Sequence, residues 1–228
     1  MNLLDGLVAN STNYDLSFKF LVDYSTPPVL GLSSENIGSE MYNSNALKYI
    51  IGHQEITNVI LTANWTAYLE GAKYFGHRSG DNPTFNYLGK PVKKDSAYKI
   101  FGQQLEATVS ALSGAGKNVF ICMPVPTYDV NVSKAVRLLR MTGRDPNSAL
   151  GYSLNDYTNV NAGLIKVFTK ISSEHQNTAI IPLQLFLSTN GTSMVAEGTN
   201  SLYKDAHHLS SFGSTFIGRQ VSEIVAGH

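Results

Sequence analysis

Asp205 and His208 stand three residues apart in the stretch Leu202–Ser210, LYKDAHHLS, just ahead of an apolar-periodic C-terminal segment. On a loop, that spacing sets a carboxylate against an imidazole. The carboxylate accepts the Nδ1 proton, fixes the tautomer and stabilises the imidazolium formed during turnover, and Nε2 is then available as a general base. The same residues also read as an ordinary helix entry, with Ser210 or Ser211 as N-cap and Asp205, His207 and His208 as polar loop residues. His207-His208 has the form of a metal pair, but no third ligand of matching spacing stands out, so no metal site is expected.

Asn64 follows a short apolar run, Val59-Ile60-Leu61. A side-chain amide at the end of a buried strand can donate to a developing oxyanion; it can equally be a turn residue or a helix cap. Trp65, the single tryptophan, reads as a packing residue or as a substrate platform. Ser33-Ser34 follows Gly31, but the nucleophile elbow G-x-S-x-G requires glycine where Glu35 stands.

These residues are positioned by alternating strands and helices. Leu16–Val22 reads as a strand with Leu16, Phe18 and Phe20 on one face, and Ala46–Ile56 as a helix with Leu47, Ile50 and Ile51 facing inward. Val59–Leu61 reads as a strand buried on both faces. From Ser96 to Leu112, Phe101, Leu105, Val109 and Leu112 recur at helical spacing, and Gly114 and Gly116 stop the helix. Asn118–Met123 is the next strand, ended by Pro124 and Pro126. Ser153–Ser173 reads as one helix with Val160, Leu164, Val167, Phe168 and Ile171 on its stripe, Thr178–Leu183 as a strand, and Ser211–Ala226 as a closing helix. The alternation predicts a parallel sheet with helices on both faces and a site outside the carboxyl ends of the strands.

The composition supports this reading. The chain has 228 residues, 43% of them hydrophobic, enough for a packed core. Lys and Arg total 17, as do Asp and Glu. A chain of zero net charge carries no overall attraction for a polyanion, so nucleic acid is not an expected partner. One cysteine, Cys122, excludes an internal disulfide and a multi-cysteine zinc cage. No run reaches the ~20 apolar residues of a membrane helix, and the N-terminus lacks the features of a signal peptide.

Taken in order, several blocks resemble the SGNH (GDSL-like) hydrolase superfamily. They are most similar to the C-terminal SGNH domain of membrane-bound polysaccharide O-acyltransferases (acyltransferase family 3). Thr26-Pro27-Pro28-Val29-Leu30-Gly31 resembles the family's Cys-Pro-Pro loop, and Asn58–Leu69 its strand and Trp-containing turn. Gln104–Pro126 resembles its helix, Gly-Lys turn and Pro-Val-Pro strand end, and Tyr203–Gly213 its Asp-x-x-His-Leu-Ser-x-x-Gly block. The resemblance implies a flavodoxin-like α/β three-layer sandwich with a parallel sheet, as one domain over 1–228. It implies His208 as general base, Asp205 as its orienting acid and Asn64 as an oxyanion donor, with His207 at the variable position between acid and base. Ser25 stands where the family's second oxyanion donor, a Gly amide, is expected.

The family's Gly-Asp-Ser block, at the end of its first strand, has no counterpart here. Met1–Ala9 already resembles the helix that follows that block, so the domain is expected to lack its first strand and its serine nucleophile, with no nucleophile assigned in this chain. The activity implied is O-acyl, in the first instance acetyl, transfer to a bacterial surface polysaccharide such as O-antigen. No cofactor is bound directly, and acetyl-CoA is the ultimate donor, relayed by a multi-helix membrane domain. The domain is expected to face the periplasm as part of an inner-membrane protein. A carbohydrate esterase of the same fold, or an inactive glycan-binding module, are the alternatives.

Overall fold

The structure is a computed structural model that describes residues 3–23, 26–33, 39–71 and 83–227. In chain order its elements are α1 (Leu4–Asn10), β1 (Leu32–Ser33), α2 (Ser39–Gly52), β2 (Asn58–Leu61), α3 (Trp65–Glu70), β3 (Asn86–Tyr87), β4 (Lys90–Pro91), α4 (Lys94–Gly114) and β5 (Asn118–Cys122). There follow α5 (Val132–Met141), α6 (Pro146–Leu150), α7 (Leu154–Val160), α8 (Ala162–Glu174), β6 (Thr178–Ile181), α9 (Leu183–Phe186), four two-residue strands β7–β10 between Ser188 and Ser201, and α10 (Ser211–Ala226). A one-turn 3-10 helix, Thr12–Tyr14, follows α1.

The described residues group into two compact units. One takes 1–19, 123–160 and 181–228, the other 20–122 and 161–180.

The second unit is built on the parallel sheet β2-β5-β6. β2 and β5 run parallel in the register Asn58↔Asn118 to Leu61↔Ile121. Val119 N donates to Asn177 O at 2.8 Å, and four residues on Met123 N donates to Ile181 O at 2.9 Å, so β6 runs in the same direction. From Val119 to Cys122 every residue of β5 is buried, as expected of a central strand covered on both faces. α4 lays Phe101, Leu105, Val109 and Leu112 into this core. It ends where the sequence places the stop: Gly116 adopts φ +74°, and Lys117 N reaches back to Leu112 O at 3.1 Å, a glycine C-cap that an L side chain would strain.

In the first unit α1 packs against α10. The two backbones approach so closely at Gly6 and Gly218 that no side chain fits between them, and Gly6 N donates to the buried Ser214 Oγ at 2.9 Å. α10 spans the expected residues, with Ile217 and Val221 fully buried and Phe212 38% exposed.

Several expectations need correction. Leu16–Val22 forms no strand, and Phe20 and Val22 are exposed. Alternation supplies a face, but a strand is also defined by its ladder, and this segment joins none of the described sheets. The expected helix Ser153–Ser173 is two helices, α7 and α8, broken at Asn161. This residue is 3% exposed, and its Oδ1 accepts from Thr66 Oγ1 at 2.7 Å, a tertiary bond that local periodicity does not report. The strand expected to reach Leu183 stops at Ile181, because Pro182 has no N–H and caps the single turn of α9. On α2, Ile51 is exposed rather than inward. Among the described side chains of α2 the buried one is Asn43, whose Nδ2 reaches Pro27 O at 2.8 Å, Val29 O at 2.9 Å and Leu32 O at 3.0 Å.

Candidate functional site

The loop bearing Asp205 is closed at its base by backbone pairing. Tyr203 and Leu209 form an antiparallel bridge, Lys204 N donates to His208 O at 3.0 Å, and Ser210 N donates to Leu202 O at 3.0 Å. Leu202, Tyr203 and Leu209 are fully buried, so the apolar residues anchor both ends while the polar ones between them remain half-exposed. The loop exits into α10 through Ser210. Its Oγ accepts from Gly213 N at 3.0 Å and donates to Ser201 O at 2.7 Å, so Ser210 is the helix cap and no nucleophile.

A second set of bonds holds the loop from the side. Tyr128, two residues past the Pro124-Val125-Pro126 strand end, donates its backbone N–H to Ala206 O at 2.9 Å. Its ring meets the Tyr203 ring edge-on at 5.2 Å and the Tyr152 ring at 5.5 Å. Its hydroxyl reaches Ser193 Oγ at 3.2 Å. Tyr157 secures the strand end itself by donating to Pro124 O at 2.7 Å. The loop of Asp205 is thereby bonded to Tyr128 within the first unit. Tyr128 was not singled out from the sequence; the signal for it was its position directly after a strand end.

Asp205 divides its two carboxylate oxygens between two tasks. Oδ1 accepts the backbone N–H groups of His207 at 3.0 Å and His208 at 2.8 Å; Oδ2 lies 2.8 Å from His208 Nδ1. Partial burial pushes the carboxyl pKa up, but the two backbone donors and the His208 ring outweigh it and hold the group at about 2. An ionised Asp205 requires a proton on His208 Nδ1 for the hydrogen bond, which fixes the neutral ring as the Nδ1–H tautomer and turns its Nε2 lone pair outward. Among the described residues His208 Nε2 has no hydrogen-bond partner. The geometry leaves His208 Nε2 able to accept a proton while Asp205 orients the ring.

His207 is differently placed. Its Nδ1 is 4.0 Å from Asp205 Oδ1, beyond hydrogen-bond length, and its ring lies 4.1 Å from the His208 ring at a 44° tilt. One donor atom each from Asp205, His207 and His208 lie within 4.8 Å of one another. The third donor that the sequence spacing did not offer is thus Asp205 itself. A divalent ion drawing on that carboxylate would compete with the hydrogen bond that sets the His208 tautomer.

Asn64 belongs to the other unit and stands at the junction of β2 and α3. Its carbonyl accepts from Ala67 N at 3.1 Å, so it occupies the N-cap position, yet its side chain makes no capping bond to the helix. Trp65 resolves to the packing reading. It is fully buried, donates Nε1–H to Cys122 O at 2.8 Å and packs against Phe101 and Phe168, each at 5.7 Å. Ser33 is buried in β1 with its hydroxyl unbonded, and Ser211 bonds Asp5 at 2.6 Å. Ser25 and Ser34 lie outside the described residues.

A family model for the SGNH domain (fused to AT3 domains) matches residues 1–223. A solved structure, that of the periplasmic domain of a Salmonella ser. Paratyphi A lipopolysaccharide acetyltransferase, superposes with a TM-score of 0.64 at 16% identity, covering 96% of this chain and 78% of that one. A search of curated proteins found no matching relative. The superposition shows a shared α/β fold with a parallel sheet and flanking helices, and the family match covers all the residues that carry the resemblance read from the sequence. This chain belongs to the family of SGNH domains that are fused to AT3 domains.

Proposed function

We propose that the chain is one SGNH-type domain that completes O-acyl, in the first instance acetyl, transfer to a bacterial surface polysaccharide. The observation that carries this reading is the 2.8 Å hydrogen bond from His208 Nδ1 to an Asp205 carboxylate already held by two backbone N–H groups. The similarity to a lipopolysaccharide acetyltransferase domain supports the acceptor class, and the family's fusion to AT3 domains supports a membrane acyltransferase partner. In this reading acetyl-CoA is the ultimate donor on the far side of that partner, and the domain itself works in the periplasm.

His208 Nε2 takes the proton of a sugar hydroxyl as its oxygen attacks the acyl carbonyl. The tetrahedral intermediate collapses, the serine–acyl C–O bond breaks, and the same proton passes to the departing serine Oγ. Asp205 does not take the proton; it stabilises the imidazolium. Asn64, at the carboxyl end of β2, donates its amide to the oxyanion. We assign no serine of this chain as the nucleophile; of those nearest the family's motifs, Ser33 is buried in a strand, Ser210 caps α10 and Ser211 is bonded to Asp5.

The test is acetyl transfer to purified surface polysaccharide by the intact membrane protein that carries this domain. His208→Ala is expected to lower turnover by ~1000-fold or more, as loss of a triad member does, while His207→Ala leaves it within about two-fold. Equal losses would reject the assignment. Acetate release without transfer would establish the esterase instead, and glycan binding without turnover in either assay the binding module.

A further inference from the structure

The surface of α5 is uncommitted to the site and carries its own chemistry. Its inner face buries Val132 and Val136. Lys134, Arg137, Leu138 and Met141 follow one another at spacings of three, one and three, which places them on one stripe of the helix. All four are exposed, and the two apolar ones are among the most exposed large hydrophobic side chains described, Leu138 at 63% and Met141 at 75%. Arg144, just beyond the helix, is exposed as well.

The charge is equally local. The chain as a whole balances 17 basic against 17 acidic residues, yet from Val130 to Arg144 there are four basic residues, Lys134, Arg137, Arg140 and Arg144, and no Asp or Glu. Arg140 is engaged with Gly198 O and lies near Asp145. Lys134, Arg137 and Arg144 make no ion pair among the described residues. The neighbouring Asp145 carboxylate is occupied in capping α6 through Ser148 N at 2.7 Å.

We propose that this face of α5 docks on the anionic headgroups of a phospholipid bilayer, with Leu138 and Met141 set among the headgroups and Lys134, Arg137 and Arg144 on their phosphates. Cations and large apolar side chains interleaved on one exposed stripe match a surface that is anionic outside and apolar just beneath. A soluble sugar phosphate would pair with the cations and leave Leu138 and Met141 in water. Fusion to an AT3 domain, which is how the family is built, keeps such a face within reach of a bilayer. Docking of this kind would hold the domain at the membrane between acyl transfers; it does not depend on the acyl-transfer assignment.

The proposal is tested by co-sedimentation of the chain with vesicles of phosphatidylcholine alone and of phosphatidylcholine with about 30% phosphatidylglycerol, since anionic lipid sets the attraction. Binding is expected only with the anionic vesicles and is expected to fall at about 0.5 M salt, where screening is within ~4 Å. Lys134→Glu with Arg137→Glu should weaken it by about twenty-fold or more, at roughly a factor of five per basic residue. Leu138→Asp with Met141→Asp should weaken it by at least about ten-fold, because an inserted apolar group is replaced by a charge. Leu138→Trp, conservative at an exposed position, carries the test by itself. Its fluorescence should shift to the blue on anionic vesicles and be quenched by brominated lipid. No preference for anionic vesicles, or an unquenched tryptophan, would overturn the proposal. Vesicle binding lost with the charge reversals but kept by the Asp pair would reject the insertion of Leu138 and Met141, and binding lost with the Asp pair alone would reject the role of the cations; either overturns the proposal.

Discussion

Replacing Asp205 by Asn removes the charge and nearly keeps the shape, but it turns one of the two acceptor oxygens into an NH2 donor, so it reports the carboxylate's charge together with one accepted hydrogen bond. In the folded chain Asp205 sits at about 2, against an ordinary value of 3.8. That difference corresponds to at most ~2.5 kcal/mol. The side chain is 34% exposed, so solvent screening reduces the expected contribution to ~1 kcal/mol. Because the folded value lies below the unfolded one, this stability is fully present above about pH 4 and is lost as pH falls through 2. Wild type should therefore exceed Asp205→Asn by ~1 kcal/mol at pH 6, or about 2–4 °C in Tm for a chain of this size. The gap should narrow below pH 4 and close only below about pH 2. Urea melts across that range measure the difference, and carbon-detected NMR of the Asp205 carboxyl measures the midpoint directly. His208→Ala should leave much of the depression in place, since two of the three donors to Asp205 are backbone N–H groups. A carboxyl titrating near 4, or a stability gap that persists unchanged at pH 2.5, would refute the reasoning.

Asn64→Ala in the intact enzyme should lower kcat by ~100–1000-fold with KM nearly unchanged, as loss of an oxyanion donor does. The Asn64 side chain makes no capping bond to α3, so the rate is the readout, and a melting shift without a rate defect would reject the role. Two glycine substitutions in helices should have opposite signs. A Cβ on Gly102 would meet only Val167 methyls at 3.7 Å, so Gly102→Ala should stabilise by up to ~1 kcal/mol through helix propensity. A Cβ on Gly218 would lie 2.5 Å from Gly6 backbone atoms, so Gly218→Ala should destabilise by ~1–3 kcal/mol as α1 and α10 are forced apart. Thermal melts of the two variants side by side check both, and the same sign for both would be the failure.

The elements read correctly from the sequence are those whose cause is local. α4 follows from apolar residues at helical spacing and a glycine stop, β5 from a continuous apolar run before Pro124, and α10 from the Ser210 cap and its stripe. The Asp205–His208 pair was legible for the same reason, since three residues on a loop are enough to bring a carboxylate to a ring. At Asn161 the outcome depended on a neighbour from elsewhere in the chain, Thr66, and at Leu16–Val22 on strand pairing, whereas Pro182 ended its strand for a local reason, the missing N–H.

By itself the sequence determined the residue types of the acid–base pair, the strand–helix alternation and the family resemblance, because each is a matter of spacing within a few residues. Only the tertiary structure decided that Asp205 Oδ1 is held by two backbone N–H groups while Oδ2 meets His208, and that His207 stands 4.0 Å off. Only it decided that Trp65 is buried packing, and that Tyr128 and Asn43, neither conspicuous in the sequence, hold the loops in place. Hydrogen bonds are short and directional, and an Asn or Tyr side chain bonds whatever the packed chain brings to it. Which atoms arrive there is set by the packing of segments tens of residues apart, and no local spacing encodes it.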